Sequence, residues 1–403
     1  MAEKNERLSG ARRKNPLERG GEPYRSFPSF CRDVYGRRLE RIALDAGMTC
    51  PNRDGTLGKN GCAFCAGGSG DFAIAYRGQR MDMSDFTWFH ERDARPGDFI
   101  AYFQAYTSTY APVQRLRELF EAALSDPMFA GISVATRPDC MGLAFRCGGA
   151  GGRATGISGK SRPVFPDGDV VQLLAELKKR HPDKFIWVEL GLQTADDETA
   201  SLVRRGYSTA LYDACAAELI RAGIPVITHV ILGLPGEDEQ QMLETVRHVN
   251  RVYERAADGG ILSGCGIKLQ LLHYLAGTEL GDAYLACHGK SELKDPAGIS
   301  KPCDLARNGQ SDPADEPSSA GCVTAENAGG DGELCAMTEE EYVRTVADCI
   351  SVLHPDIVVH RLTGDGNARI LIAPLWSRNK RHVLNSIRHE LSARGITQGC
   401  LRF

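Results

Sequence analysis

The sequence has no apolar run long enough to cross a bilayer, which takes about 20 consecutive apolar residues in a helix. Its first residues, Met-Ala-Glu-Lys-Asn-Glu-Arg, contain no apolar core of the kind that forms a secretory signal peptide. No internal repeat is visible. We therefore expect a cytoplasmic protein with no membrane association, and the length suits one large domain with appendages or two domains.

A strong net positive charge is also missing, since the formal net charge is −4. The charges are nevertheless unevenly distributed. Residues 1–41 contain eleven Lys and Arg against six Asp and Glu, residues 376–403 contain six against one, and residues 286–337 contain four against nine. Two basic ends can serve a polyanionic partner, but solvated ends explain the same pattern, and the sequence alone leaves both interpretations open.

Cysteine, by contrast, is frequent, with fourteen in the chain. In a cytosolic protein this number favours metal or redox chemistry over a disulfide framework. Cys50, Cys62 and Cys65 have the spacing C-x11-C-x2-C. Three thiolates on one loop can hold three irons of a cluster and leave one iron open, whereas an electron-transfer cluster normally has four cysteines. An open metal position is where a substrate or cofactor binds, so the loop predicts a cluster that performs chemistry.

A zinc site is the alternative for this loop, and it needs a fourth ligand. The nearest histidine is His90, far along the chain, and no compact zinc spacing is present. The spacing therefore favours an iron–sulfur cluster over zinc. Phe64, inside the C-x2-C pair, would place an aromatic ring beside the cluster and offer a stacking face to an adenine.

Short β-branched runs alternate with amphipathic helical patterns between residues 39 and 285, which predicts a parallel sheet with right-handed crossovers. The predicted strands are Leu39–Leu44, Phe99–Gln104, Gly131–Thr136, Ile186–Leu192, Val226–Leu232 and Ile267–Leu272. The predicted helices include Val113–Leu124, Asp169–Arg180, Ala210–Ala222 and Glu239–Glu254. Six such units give an α/β fold, a partial (β/α)6 TIM-like barrel, in which catalytic groups lie at the carboxyl ends of the strands. The three cysteines follow the first strand.

Two stretches interrupt the pattern and are interpreted as flexible insertions, because neither can bury enough apolar surface to offset its ordering entropy. Residues 141–164 contain seven glycines, and residues 286–337 are rich in Gly, Ser, Asp and Pro. The glycines of 148–156 mimic a phosphate-binding loop, but they do not lie directly between a strand and a helix.

Beyond residue 337 the helical pattern resumes, with Thr338 and Glu341 as a capping box. A strand over Asp356–Leu362 and a basic helix over Asn379–Ala393 follow. The predicted division is a basic N-terminal segment 1–38, a core barrel 39–285 with the insertion 141–164, a flexible acidic insertion 286–337, and a C-terminal strand and helix extension 338–403.

Polar residues end two of the predicted strands. Glu189 and Gln193 close the fourth strand on one face, where they could bind a ribose or an amino group, or simply satisfy each other. His229 belongs to the fifth strand, and Gly233 after it lets backbone approach a ligand. A third stretch, 360–380, gathers a histidine, an arginine, an aspartate and a tryptophan around a glycine turn. It fits a substrate pocket and equally a capped C-terminal strand.

Seven motifs in order together resemble the YhcC-like group of radical SAM proteins, which is similar to the catalytic core of the eukaryotic elongator subunit that modifies tRNA wobble uridines. The motifs are Cys50–Gly55, the Cys62/Phe64/Cys65 loop, Ala101–Thr107, Thr136–Cys140, Glu189–Thr194, His229–Glu237 and His360–Gly366. The resemblance covers 24–140, 165–285 and 338–395. Both insertions depart from it, and the first lies beside the loop after the third strand, where it can affect substrate access.

This resemblance implies a radical SAM core with a 4Fe-4S cluster on Cys50, Cys62 and Cys65, whose open iron chelates S-adenosylmethionine (SAM). It implies that Gln104 meets the methionine amine, that Glu189 and Gln193 contact the ribose or carboxylate, and that Arg205 neutralises the carboxylate. The adenine side would be lined by His229, Gly233 and Leu234. The candidates on the substrate side are His273, His360, Arg361 and Asp365.

The predicted function is reductive cleavage of SAM to a 5′-deoxyadenosyl radical, used for modification of tRNA at a wobble uridine, with reduced flavodoxin or ferredoxin as electron donor. Two alternatives stay open at this point. One is a radical SAM enzyme that acts on a small molecule or a protein. The other is a non-catalytic zinc-binding RNA adaptor.

Overall fold

A computed structural model describes residues 21–67, 73–81, 95–142, 168–288, 334–364 and 366–402. Its strands are β1 (Glu40–Asp45), β2 (Ile74–Ala75), β3 (Phe99–Phe103), β4 (Phe129–Thr136), β5 (Phe185–Gln193), β6 (Val226–Leu232), β7 (Gly266–Leu271), β8 (Tyr274–Leu275), β9 (Val358–Arg361) and β10 (Leu371–Ala373). Its helices are α1 (Phe27–Tyr35), α2 (Val113–Ser125), α3 (Val170–Arg180), α4 (Asp197–Leu202), α5 (Thr209–Arg221), α6 (Glu239–Ala256), α7 (Glu279–His288), α8 (Glu339–Val352) and α9 (Lys380–Ala393). Two short 3-10 helices cover Pro138–Cys140 and Leu375–Arg378.

Eight strands form one parallel sheet in the order β2-β1-β3-β4-β5-β6-β7-β9. The α/β prediction with six core strands is confirmed, and each of those six lies within a few residues of its predicted bounds. The sheet is wider than predicted at both edges. On one side β2 adds two residues, and on the other β9, from the predicted C-terminal extension, pairs with β7.

Two predicted features fall largely outside the described residues. Of the first predicted insertion, residues 143–164 are outside, and of the second, residues 289–333 are outside. Asp365 is outside as well. Where the chain is described again, Thr338 caps α8 with Glu341 in the predicted capping box. No helix within the described part of the chain is both long and apolar enough to span a membrane.

The sheet curves into a partial barrel. Its outer face is covered by helices, and its inner face lines the interior of the barrel. Along β5 the outward residues Ile186, Val188, Leu190 and Leu192 are buried in the main apolar core with residues of α2, α3, α5 and α6. Because side chains alternate along a strand, Trp187, Glu189, Gly191 and Gln193 share the opposite, inner face. Because of this alternation, the four inner residues of β5 point toward the interior of the barrel.

Helix α1 closes the barrel at the amino ends of the strands. Ser26 caps the helix by accepting a hydrogen bond from the Ser29 amide, and its own backbone pairs in parallel with Val359 of β9. Phe27 and Phe30 pack against Trp187, with ring centroids 6.0 and 6.3 Å away. The predicted basic N-terminal segment therefore contains an apolar plug, which covers the amino ends of the strands in the described part of the chain.

Candidate active site

The loop after β1 carries the three cysteines at the open end of the barrel. Its first turn is closed by the Arg53 amide, which donates to the Cys50 carbonyl at 2.8 Å. A second turn is closed by the Cys65 amide, which donates to the Cys62 carbonyl at 2.9 Å. All three thiols are free. The loop thus holds three sulfur donors on two tight turns.

Asn52 fastens this loop to the rest of the barrel. Its side-chain amide donates to the Cys62 sulfur at 3.4 Å and to the Arg204 carbonyl at 2.9 Å. The backbone carbonyl of Asn52 accepts from the Gly61 amide at 2.7 Å. Asn52 is buried, so these bonds form away from competing water and fix the position of Cys62.

A cavity of about 1050 Å³ opens beside the cysteines, and Cys50, Cys62 and Cys65 all line it. The three thiols supply the donor type of iron–sulfur clusters. No three His, Cys, Asp or Glu side chains in the described ranges are grouped closely enough to hold a single metal ion. The volume exceeds that of an ordinary small-molecule pocket, about 300–1,000 Å³. The donors and the space fit a four-iron cluster with a small cofactor beside it.

Glu189 forms the centre of the cavity floor and is fully buried. Its carboxylate accepts hydrogen bonds from the Tyr102 hydroxyl at 2.7 Å and the Ser133 hydroxyl at 2.9 Å. The His229 Nε2 atom lies 2.8 Å from it, and the Lys268 ammonium forms a direct ion pair with it. These four side chains come from four different strands to the carboxylate on β5, and the Arg41 guanidinium on β1 lies 3.9 Å from it.

The charges of this floor depend on one another. Burial alone would raise the pKa of Glu189, but Lys268 and His229 outweigh it and hold that pKa well below its usual range. Burial lowers the pKa of Lys268 to about 7, against the pull of Glu189, and the cationic Arg361 and Arg41 lower it further. Burial, with Lys268, lowers the pKa of His229 to about 4. At neutral pH the floor presents an ionised carboxylate and a neutral imidazole.

Positive charge dominates the cavity walls. Among the described residues, its lining includes one carboxylate, that of Glu189, and six Lys and Arg side chains: Arg53, Arg137, Lys268, Arg361, Arg369 and Lys380. Arg137 is neutralised by Asp139, which it contacts at 2.6 and 2.9 Å, and Lys268 by Glu189. The number of cations in the described lining favours a ligand that carries negative charge.

Most of the predicted site residues line this one cavity. They are Cys50, Cys62, Phe64, Cys65, Gln104, Glu189, Gln193, His229, His273 and Arg361. Predicted residues that are described but do not line it are Arg205, Gly233, Leu234 and His360. The fold thus brings together residues from the loop after β1, such as Cys50, and residues as distant as Arg361 of β9.

Arg205 has a different position from the predicted one. Its guanidinium is buried and donates to the carbonyls of Leu192 and Thr194, each at 2.7 Å, and to that of Tyr207. It also pairs with Asp197 at 2.8 Å. These bonds use the guanidinium to brace the loops after β5, so it is not available to a cofactor carboxylate.

Gly233 and Leu234 line a second, smaller cavity of about 390 Å³ that lies beneath residues 334–345. Gly233 has a φ of +83°, and a Cβ there would approach the Met337 sulfur to 2.8 Å. The glycine is therefore explained by the close approach of Met337 in this structure, in addition to the ligand contact that the sequence predicted.

His360 lies below the floor, on the plugged side. Its ring is 4.9 Å from that of Phe27, and Arg41 contacts its Nδ1 atom at 2.7 Å. Burial and Arg41 hold the pKa of His360 well below its usual range. His360 supports the floor from behind and does not face the cavity.

His273 faces the cavity and meets the predicted glycine turn. The Gly366 amide donates to its Nδ1 atom at 3.1 Å. A Cβ at Gly364 or Gly366 would lie within 2.5 Å of the imidazole, so only glycine fits at either position. The turn thereby fixes both the tautomer and the orientation of His273.

Tyr102 and Lys268 line the cavity and contact Glu189, but neither was predicted as a site residue. A signal for Lys268 was present, because it is the single charged residue of the predicted strand Ile267–Leu272. Tyr102 lies two positions before Gln104 in the predicted strand Phe99–Gln104, and residues two apart share one face of a strand.

Comparison with known proteins gives consistent matches over nearly the whole chain. Residues 56–249 match the Radical SAM superfamily, and residues 329–393 match the Radical_SAM C-terminal domain. The chain is similar to YtqA of Bacillus subtilis, with 36% identity over 95% of this chain and 94% of that protein. It is also similar to YhcC of Escherichia coli K12, with 29% identity over 91% of this chain and 92% of that protein. Among solved structures, the archaeal Methanocaldococcus infernus Elp3 superposes with a TM-score of 0.47 and 12% identity, over 75% of this chain and 56% of that one.

Proposed function

Because this chain belongs to the radical SAM superfamily, and is therefore an enzyme that uses a 4Fe-4S cluster and SAM, we propose that both groups bind in the cavity beside the cysteine loop and that the substrate is tRNA. The modified base would be a wobble uridine. The observation that carries the proposal is the coincidence of three thiols and an excess of cations on one cavity. Membership in an enzyme superfamily leaves the non-catalytic zinc adaptor without support.

Cys50, Cys62 and Cys65 would hold three irons of the cluster, and Asn52 would orient Cys62. When bound, the cluster and SAM supply one-electron cleavage of the sulfonium and so a 5′-deoxyadenosyl radical. Reduced flavodoxin or ferredoxin is the proposed electron donor. The residues of the chain bind the cofactor and exclude water, since the barrel is plugged by α1 at its other end.

For SAM itself, the cavity offers groups of the right chemistry. Phe64 supplies an aromatic face for the adenine, while Gln104 and Gln193 supply amides for the methionine amine and the ribose. Arg53 takes the place predicted for Arg205 as the cation near the methionine carboxylate. It lines the cavity and donates to the Cys65 carbonyl.

His229, His273 and Arg361 are the proposed substrate-side groups, because they line the cavity away from the cysteine loop. His229 is neutral at physiological pH and can hydrogen-bond a base edge. Arg361 lies beside Lys268 and can attract an anionic group.

The rim of the cavity supports a polyanionic substrate. Four exposed cations gather around the start of α9: Arg369, Arg378, Lys380 and Arg381. Arg369 and Lys380 also line the cavity, and Arg378 donates to the Ala368 carbonyl at 3.3 Å. Cations grouped at the entrance are what binding of an RNA backbone requires. We name these four residues the basic rim.

The test uses the full chain, reconstituted anaerobically with iron and sulfide, together with SAM, dithionite and tRNA from cells that lack the enzyme. We expect 5′-deoxyadenosine to rise on addition of tRNA and a uridine-derived nucleoside to change mass in digests. Binding should weaken steeply as salt rises, and a Lys380→Ala/Arg381→Ala variant should reduce the salt slope by about 2. If tRNA neither binds nor changes deoxyadenosine formation, while a small-molecule or protein fraction does, the substrate is of the other class.

A further inference from the structure

One aromatic side chain at the mouth of the cavity has no role in the functions described above. Tyr106 is 43% exposed, and within the described ranges it is the only aromatic residue among the exposed large apolar side chains. It lines the cavity that holds the cysteines. Aromatic rings are normally buried, so a ring kept in solvent at a cavity mouth points to a ligand.

The backbone of Tyr106 is strained as well. Its φ is +55°, a left-handed conformation that non-glycine residues rarely adopt. Hydrogen bonds of the two residues that follow it fix this backbone conformation. The Thr107 amide donates to the Thr49 carbonyl at 3.3 Å, and the Ser108 amide donates to the Ala135 carbonyl at 3.0 Å. Such conformations persist where the surroundings over-determine them, and they cluster at ligand sites.

One cation lies near the exposed ring, and others line the same cavity. Arg53 lies close enough to Tyr106 for the two to interact electrostatically, and both line the cavity. Arg369 and Lys380 of the basic rim line the same cavity. An aromatic face combined with cations is the arrangement that binds single-stranded nucleic acid, because bases stack on the ring and phosphates pair with the cations.

The geometry points to Tyr106 as a stacking platform for a nucleobase of the RNA substrate at the cavity mouth. This assignment rests on the proposed function, because it requires an RNA substrate. A base drawn out of its own stack must regain stacking elsewhere, and a rigidly held tyrosine supplies it. The left-handed backbone conformation of Tyr106 is unfavourable. It is explained if this conformation is needed to present the ring to the ligand.

The experiment measures binding of fluorescently labelled bulk tRNA to the anaerobic full-length protein by anisotropy, at several salt concentrations. Y106F should bind like the wild type, because it keeps the ring. Y106A should bind about ten-fold more weakly, with an unchanged salt slope, because stacking does not release counterions. Leu401→Ala removes an exposed apolar side chain that does not line this cavity, and it should bind like the wild type.

Tyr106→Gly separates a binding role from a structural one. Glycine accepts a positive φ without strain, so the thermal midpoint of Y106G should not fall below that of the wild type, while its tRNA affinity should fall with that of Y106A. A lower midpoint for Y106G with unchanged tRNA affinity would show a packing role and overturn the assignment.

Other outcomes also decide the matter. If the wild type binds tRNA and Y106A binds it equally well, the stacking assignment fails while the proposed function stands. An affinity of Y106F as low as that of Y106A would assign the role to the hydroxyl and overturn stacking. If the wild type binds no tRNA at any salt concentration, both the stacking assignment and the proposed substrate fail together.

Discussion

Inside the barrel, the buried carboxylate of Glu189 meets a lysine, a tyrosine hydroxyl, a serine hydroxyl and an imidazole. Burial of an ion pair costs desolvation energy that its attraction barely repays. The pair is therefore weak support for stability and stronger support for a functional role at the cavity floor. Its residues are coupled, so removal of one member must change the others.

Lys268→Met leaves the Glu189 carboxylate without its direct cation. We expect a loss of about 3 kcal/mol in unfolding free energy, because removal of one partner strands a buried charge. Denaturation of the cluster-free protein by heat and urea measures the loss. The double variant Glu189→Gln/Lys268→Met is the matched control and should recover most of it. A double variant as unstable as the sum of the single ones would contradict the coupling.

His229 gives a prediction for pH. Its native pKa is about 4, lowered from an unfolded value of about 6.5 by burial and by Lys268. Between these values the unfolded chain takes up a proton that the native ring refuses, so stability from this residue is present above pH 6.5 and is lost as the pH falls toward 4. On acidification from pH 7 to 4.5, His229→Gln should lose on the order of 2 kcal/mol less stability than the wild type. Equal losses in the two proteins would show that the imidazole is not held neutral.

Glu189 and His229 were predicted as site residues from the predicted strands and the family resemblance, and both line the cavity. It could not assign Arg205 correctly, since a guanidinium has five donors and the chain does not reveal which acceptors surround it. Here those acceptors are protein carbonyls and Asp197. Lys268 was not predicted because its partner, Glu189, lies on another strand. The sequence of a strand does not show which residues of other strands lie next to it.

Helix α1 is the element that the sequence analysis overlooked. Its apolar residues Phe27, Phe30 and Cys31 follow helical spacing, but they lie within a segment that stands out for its charge. The six core strands were predicted because their short β-branched runs alternate with amphipathic helical patterns. Strands β2, β8 and β10 are only two or three residues long. Such short segments show no periodicity in the sequence, so they could not be predicted.

Phe30→Ala tests the plug formed by α1. The ring is 1% exposed and packs against Trp187, so its removal should cost about 3 kcal/mol of unfolding free energy, measured by urea denaturation. Arg32→Ala on the same helix removes an exposed side chain and should change stability by less than about 0.5 kcal/mol. Similar effects of the two substitutions would show that α1 does not close the barrel.

At the scale of the molecule, the cavity joins segments that are far apart in the chain. The cysteine loop follows the first strand, while Arg361, Arg369 and Lys380 come from the C-terminal part. Strand β9 extends the core sheet, and β10 pairs with β8 above it. The predicted boundary between a core at 39–285 and an extension at 338–403 stays a prediction, but the two share a sheet and a site.

The measurement that tests the central claim most directly uses protein reconstituted anaerobically with iron and sulfide. Iron per chain and 5′-deoxyadenosine formed from SAM and dithionite are determined on the same samples. Wild type should hold about four irons and form deoxyadenosine. Cys400→Ser, at an exposed cysteine away from the cavity, should do the same, while Cys62→Ser should lose both. Deoxyadenosine formation that persists in Cys62→Ser would contradict the account.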